Sequence, residues 1–150
     1  MQFDRVIDNL PPGFDEMRAE ASAEGYRHLE RLALDWASGA MRFKGEGEAL
    51  LAAHVQGALA AIGGLTIEPV VPGAFRMRRL YVREPFRRQG IGRRLAAALL
   101  EPALARGAVV TVNAGNIDAV PFWIGLGFTP DLQDGHTHVL CRPPVVQNDL

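Results

Sequence analysis

The sequence predicts an α/β domain in which helices cover a mixed sheet. Three observations carry that expectation. The hydrophobic pattern alternates between strand and helix spacing in the order βααβββαβαββ. The 150 residues, 48% hydrophobic and 22% charged, suit a single domain over 1–150 with one core. No internal repeat, low-complexity segment or linker interrupts the pattern.

The elements follow in order. Residues 2–8 read as a short strand, ended by Pro11-Pro12-Gly13. From residue 14 to about 38 the pattern is helical. Tyr26, Leu29, Leu32 or Ala33, and Trp36 recur at three- and four-residue spacing, with Arg27, Glu30, Arg31 and Asp35 between them. Gly25 interrupts this run, so two helices and one bent helix both satisfy it. Gly39 is the expected stop. Residues 40–48 read as a loop. Ala49–Val55 and Ala58–Ile67 flank Gln56-Gly57, which is a hairpin signal. Both runs are rich in alanine and would also suit helix. The placement of the turn, and a break expected at Gly63-Gly64, favour strands. Residues 69–73 form a loop.

Residues 75–82 alternate like a strand, with Leu80 and Val82 on one face and Arg79 and Tyr81 on the other. Residues 90–105 are helical, because Ile91, Leu95, Leu99 and Ala103 repeat every four positions. Pro102 is expected to kink or end that helix. Residues 108–112 read as a buried strand. Asn116 caps a short helix reaching about Leu126. Residues 127–131 and 137–141 supply the last two strands.

Charge narrows the function classes. The net charge of −1 argues against a protein that coats nucleic acid or an anionic membrane. Yet seven arginines (78, 79, 83, 87, 88, 93 and 94) share one short stretch. A local cationic field in a near-neutral protein suits a small polyanion. Cys141 is the single cysteine, so no internal disulfide can form. The first residues carry no signal-peptide pattern and no apolar run is long enough to span a membrane. A cytoplasmic location is the resulting expectation.

The segment Arg87-Arg88-Gln89-Gly90-Ile91-Gly92 lies between the strand ending near Val82 and the helix beginning near Gly90. The first amides of a helix lack internal partners and sit at the positive end of its dipole. A pyrophosphate there gains several hydrogen bonds without any side chain. Glycine at 90 and 92 removes Cβ atoms that would hold the ligand off. The P-loop motif is absent. The dinucleotide fingerprint fits poorly, because Leu95 stands where its third small residue belongs.

The run from Leu80 to Leu95 closely resembles the acyl-CoA loop of the GNAT acyltransferase superfamily, whose pattern is Gln/Arg-x-x-Gly-x-Gly/Ala after a strand with an apolar end. A second block also fits. Asn116, Ala119, Phe122, Trp123, Gly127 and Phe128 stand where the superfamily carries N-x-x-A-x-x-F-Y-x-x-x-G-F. The strong match covers roughly residues 77–128. The resemblance implies a single-domain acyl-CoA N-acyltransferase fold, with a mostly antiparallel central sheet flanked by helices. It implies acetyl-CoA, or another acyl-CoA, as co-substrate.

By the same resemblance, backbone groups of Leu80, Tyr81 and Val82 pair with the pantetheine arm, and one amide there polarises the thioester carbonyl. The pyrophosphate falls on the backbone of Arg88, Gln89, Gly90, Ile91, Gly92 and Arg93, with Arg87 at the Gln/Arg position. Asn116 makes a polar contact with the pantetheine arm, and Phe122 makes apolar contact with the same arm or packs the helix. One departure matters. The superfamily's frequent tyrosine is Trp123 here, and an indole cannot serve as a general acid. The thiolate then takes its proton from another acid or water, or leaves unprotonated.

The implied reaction is direct attack of an amine on the thioester in a ternary complex. Something must deprotonate the amine. Glu68, just beyond the second hairpin strand, and His138, on a late strand, are the expected catalytic residues. Glu46, Glu48, His54 and His136 are further candidates. Trp36, Arg42 and Phe43 are candidates to line an acceptor pocket, and Arg42 and Arg79 to bind an acceptor carboxylate. His136 and His138 alone make a weak metal signal, so no metal is expected. The expected acceptor is the primary amine of a small molecule. The alternatives are a protein lysine or N-terminal amine, or a non-catalytic acyl-CoA-binding module. A homodimer is allowed for.

Overall fold

A computed structural model describes residues 1–142; residues 143–150, part of the domain expected over 1–150, lie outside the described residues. Seven strands form one sheet: β1 (Gln2–Arg5), β2 (Ala49–Val55), β3 (Ala58–Ile67), β4 (Phe75–Val82), β5 (Val110–Val112), β6 (Thr129–Gln133) and β7 (His136–Leu140). Their order across the sheet is β1-β2-β3-β4-β5-β7-β6. Among the described residues only β4 and β5 run parallel. Helices α1 (Phe14–Ala23) and α2 (His28–Ser38) pack on one face, and α3 (Ile91–Ala105) and α4 (Val120–Gly125) on the other.

The faces follow from alternation along the strands. Leu50, Ala52, Ile62 and Tyr81 join Met17, Leu29 and Trp36 under α1 and α2. Ala53, Ala61 and Leu65 point the other way, toward Leu95 and Leu99 of α3. The split at Gly25 is real. That residue takes φ 90° between the two helices, and Gly39 caps α2 in the left-handed region. Gln56 and Gly57 both have positive φ, which the tight turn of the β2–β3 hairpin demands.

Two expectations need correction. Gly63-Gly64 does not break β3, which runs through both residues with eight of its ten positions buried. The glycines instead admit bulky neighbours on both faces of a central strand. A Cβ on Gly63 would lie 2.9 Å from Leu80, and one on Gly64 would collide with Phe43 at 2.4 Å. Nor does Pro102 end α3, which continues to Ala105. Proline there is exposed and close to the helix end, so it forfeits one backbone hydrogen bond and meets no packed neighbour.

One irregularity positions everything that follows. On β3, Ile62 faces Tyr81 and Gly64 faces Arg78, so Gly63 opposes the two residues Arg79 and Leu80. This is a β-bulge, with Arg79 at φ 61°. It explains why Met77 and Leu80, an odd number of residues apart, both belong to the α3 side. Beside it, β5 pairs with β4 only at Phe75, Arg76 and Met77. From Arg78 onward β4 and β5 splay apart.

Candidate active site

The splay exposes one edge of β4. The Arg83 amide donates to the Ala60 carbonyl at 2.9 Å, so residues 81 and 83 turn their polar groups toward β3. By alternation, Leu80 and Val82 turn theirs into the gap. Side chains confirm the direction. The Leu80 carbonyl accepts from His28 Nε2 at 3.0 Å, and the Val82 carbonyl accepts from Arg87 Nε at 2.9 Å. The amides of Leu80 and Val82 share this edge and, among the described residues, have no strand beside them.

At the end of β4 the chain makes a 3₁₀ turn, Glu84–Phe86, then reaches α3 through Arg88 (φ 64°) and Gly90 (φ 76°). The first bond of the helix is Arg94 N–H to the Gly90 carbonyl at 3.0 Å. Among the described residues, the amides of residues 88–93 have no backbone acceptor outside that helix. These are the amides to which the resemblance assigns the pyrophosphate. Arg88, Gln89, Gly90, Arg93 and Arg94 are all exposed around them. Gly92 is held close to the strand end, where a Cβ would lie 3.0 Å from Val82 and 3.6 Å from Phe122. Phe122 thus stands beside both the gap and the loop. Ile91 is buried and anchors the helix start.

The arginine-rich stretch divides into separate tasks. Arg83 forks onto Glu20 of α1 at 2.7 and 2.9 Å, and Arg87 forks onto Glu24 at 2.6 and 2.7 Å. The Arg83 and Arg87 guanidinium groups hold these two carboxyls below their ordinary range. Arg87 also lies over the Tyr81 ring, 5.5 Å from its centroid. Its side chain therefore ties α1 to the end of β4. Arg79 pairs with Asp35 of α2 at 3.3 Å. The Tyr81 side chain turns toward α1, where its hydroxyl donates to Glu24. Burial first, and that carboxylate second, push the phenol well above its ordinary value.

His28 stands at the start of α2 and was not singled out in the sequence. It is half-buried among Tyr26, Tyr81 and the open edge of β4. Burial, outweighing the bond to the Leu80 carbonyl and aided by Arg79 and Arg31, lowers its pKa below 6.5. The imidazole is neutral at neutral pH. With Nε2–H donated to Leu80, Nδ1 carries the free lone pair.

Glu68 and His138, the expected catalytic residues, are each bonded to near neighbours. Glu68 is buried, and Oε2 accepts the amides of Val70 and Val71 while Oε1 receives Arg76. Burial alone would raise its pKa, but those two amides and Arg76 together hold it low. His138 is buried on β7 opposite Val112, with Nδ1 2.7 Å from the Thr137 hydroxyl. His136 pairs with Asp131 at 3.0 Å. Asn116 is exposed, and its Oδ1 caps the Ala119 amide at 3.0 Å. Trp123 is buried in the α3-side core, edge-on to Phe122 and Phe128. Among the described residues no group of three or more His, Cys, Asp or Glu is placed to hold a metal, and no helix is long and apolar enough to cross a membrane.

A profile of the acetyltransferase (GNAT) family matches residues 12–128. No curated protein matches the chain significantly by sequence. Solved structures resemble it over nearly its whole length. A protein of Exiguobacterium sp. 255-15 named as an acetyltransferase is 26% identical, with TM-score 0.83, covering 93% of this chain and 92% of its own. An aminoglycoside 6'-N-acetyltransferase in complex with coenzyme A is 15% identical, with TM-score 0.64, covering 95% of this chain and 99% of its own. A ribosomal-protein-alanine N-acetyltransferase from Brucella melitensis is 20% identical, with TM-score 0.62, covering 94% of this chain and 96% of its own. At 15% and 20% identity these last two likenesses establish the fold alone.

Proposed function

Because this chain belongs to the GNAT acetyltransferase family, we propose that it transfers an acetyl group from acetyl-CoA to the primary amine of a small molecule, within a ternary complex. The observation that carries this reading is the continuity of the β4 edge with the helix-start loop. The amides of Leu80 and Val82, with no strand beside them among the described residues, lead directly to the amides of residues 88–93, which have no backbone acceptor outside α3 among those residues. A linear ligand with amides at one end and a pyrophosphate at the other fits that sequence of groups.

In this reading the pyrophosphate takes the loop amides, and Arg88 and Arg93 add mobile charge. The pantetheine amides take the edge of β4, replacing Arg87 on the Val82 carbonyl. Phe122 and the Gly92 backbone form the apolar wall beside the arm, and Asn116 offers its side-chain amide. The Leu80 amide points at the thioester oxygen and stabilises the charge that develops there. The amine attacks the thioester carbon, the C–N bond forms, and the C–S bond breaks. His28 takes the amine's proton on Nδ1, directly or through one water, because it is the neutral base bonded to that edge. The thiolate leaves as the anion or takes a proton from water, since Trp123 does not titrate and Tyr81 is held by Glu24. We assign Glu68 to ordering the loop over 69–73, and His138 to the packing of β7 on β5.

Comparison of acetyl-CoA with ADP tests the cofactor assignment. Acetyl-CoA is expected to raise Tm more than ADP at equal concentration, because only it reaches the β4 edge. Equal shifts would mean that the pantetheine contacts are not made.

A further inference from the structure

A cavity of about 400 Å³ opens on the α2 side of the sheet, lined by Arg42, Phe43, Lys44, Glu48, Thr66 and Arg78 among others. Arg78, in its lining, is the first residue of β4 beyond the pairing with β5, since Met77 is the last to pair with that strand. We infer that this cavity is the acceptor subsite and that Arg78 holds a carboxylate, making the acceptor a compact amine with an anionic end. This inference rests on the acyltransferase reading and gives it a substrate class.

Charge matching singles out Arg78. The acidic groups around it are engaged elsewhere, two by arginines and one by backbone amides. Glu68 takes Arg76, and Asp35 takes Arg79. Glu48 lines the cavity, but its two oxygens accept the Gly45 and Ile67 amides, each at 2.9 Å. Arg42 donates Nε to the Trp36 carbonyl at 2.6 Å and stacks on that ring. Arg78 donates Nε to the Thr66 hydroxyl at 2.8 Å, and among the described residues its two Nη groups have no partner. Lys44 on the rim is exposed and likewise unpaired among the described residues. The cavity therefore holds an unanswered guanidinium, fixed in orientation by Thr66 and crowded by Arg76 and Arg79. A fixed fork of N–H donors matches a carboxylate.

Position agrees with charge. Arg78 and Leu80 are two residues apart on one strand, no more than about 7 Å along it. A substrate anchored at Arg78 can thus present an amine a few bonds away to the thioester at Leu80. A long polyamine has no anion to offer this guanidinium.

The test pairs each amino acid with its own amide as acceptor, in wild type and in R78Q. Loss of a charge-assisted fork is expected to raise KM for the carboxylate forms about 10–100-fold. The amide forms are expected to be poor in both proteins, and acetyl-CoA stabilisation unchanged. Lys44→Glu, at an exposed position, provides a second variant whose fold is not in question, and it is expected to weaken carboxylates selectively. Equal use of acids and amides by the wild type would overturn the inference. Calorimetry separates this from failure of the acyltransferase reading. If no amine is acetylated, N-acetyl amino acids titrated into the protein with coenzyme A still report on the cavity. Binding lost in R78Q supports the carboxylate subsite, and no binding overturns it.

Discussion

Replacing Gly90 with valine tests the loop where its chemistry is simplest. A Cβ at this position would meet nothing within 4 Å, so the substitution causes no collision. The difficulty is the backbone, because Gly90 holds φ 76° at the entry to α3. Keeping a β-branched residue there costs about 1–2 kcal/mol. At roughly 2–4 °C per kcal/mol for a domain of this size, Tm is expected to fall by about 2–8 °C. If the chain instead relaxes to negative φ, the amides at the helix start no longer converge. Loss of two amide-to-phosphate bonds, at about 1.5–3 kcal/mol each, would weaken acetyl-CoA by at least about 100-fold. For a wild type at 100 times its Kd, acetyl-CoA contributes about 2.7 kcal/mol of stability, and most of that shift should vanish in the variant. Thermal melts of both proteins across an acetyl-CoA titration read both numbers. A folded variant with an undiminished ligand shift would refute capture by the loop backbone.

Two further substitutions separate catalysis from architecture. His28→Asn is expected to lower kcat about 100-fold or more, within the range for loss of a general base. Because burial depresses the His28 pKa, the wild-type rate should climb with pH through a value below 6.5 and be level by neutrality, and the variant should lack that limb. An identical pH profile in both proteins would remove His28 from the chemistry. Glu68→Gln is expected to cost about 3 kcal/mol of stability, since it strands Arg76 beside a buried neutral group, while leaving kcat intact below the new Tm. The sign for pH follows from the depressed pKa of Glu68. Its contribution is complete above the ordinary 4.5 and is lost as pH falls through the lower folded value, so the gap in Tm between the two proteins should close in acid. A collapse of kcat in a well-folded Glu68→Gln would return the general-base role to that residue.

The strand-to-helix loop proposed to hold the cofactor was legible because its geometry is local. A strand end, two glycines and a helix start are contiguous in sequence, and Ile91, Leu95 and Leu99 set the helix without help from elsewhere. The hairpin at Gln56-Gly57 was legible for the same reason. What escaped depends on contacts across the fold. Arg83 and Arg87 look like part of a phosphate field until Glu20 and Glu24, 63 residues away, are brought against them. The matched spacing of four in both pairs was the available signal. Glu68 looks like a loop carboxylate until Arg76, a strand partner of Thr66, closes over it. His28 reads as one more polar residue on an amphipathic helix, because its partner is a backbone carbonyl 52 residues later. The bulge at Arg79 has no local signature. It lies opposite Gly63 on the neighbouring strand, just past the point where β4 leaves β5.

The acceptor half of the account can be checked in one assay. Coenzyme A release from acetyl-CoA, followed by thiol titration, should be slow for the protein alone and rise in proportion to an added amine, with one acetylated product per thiol. Release that is indifferent to every amine, despite tight acetyl-CoA binding, would contradict transfer and leave a protein that only holds the cofactor.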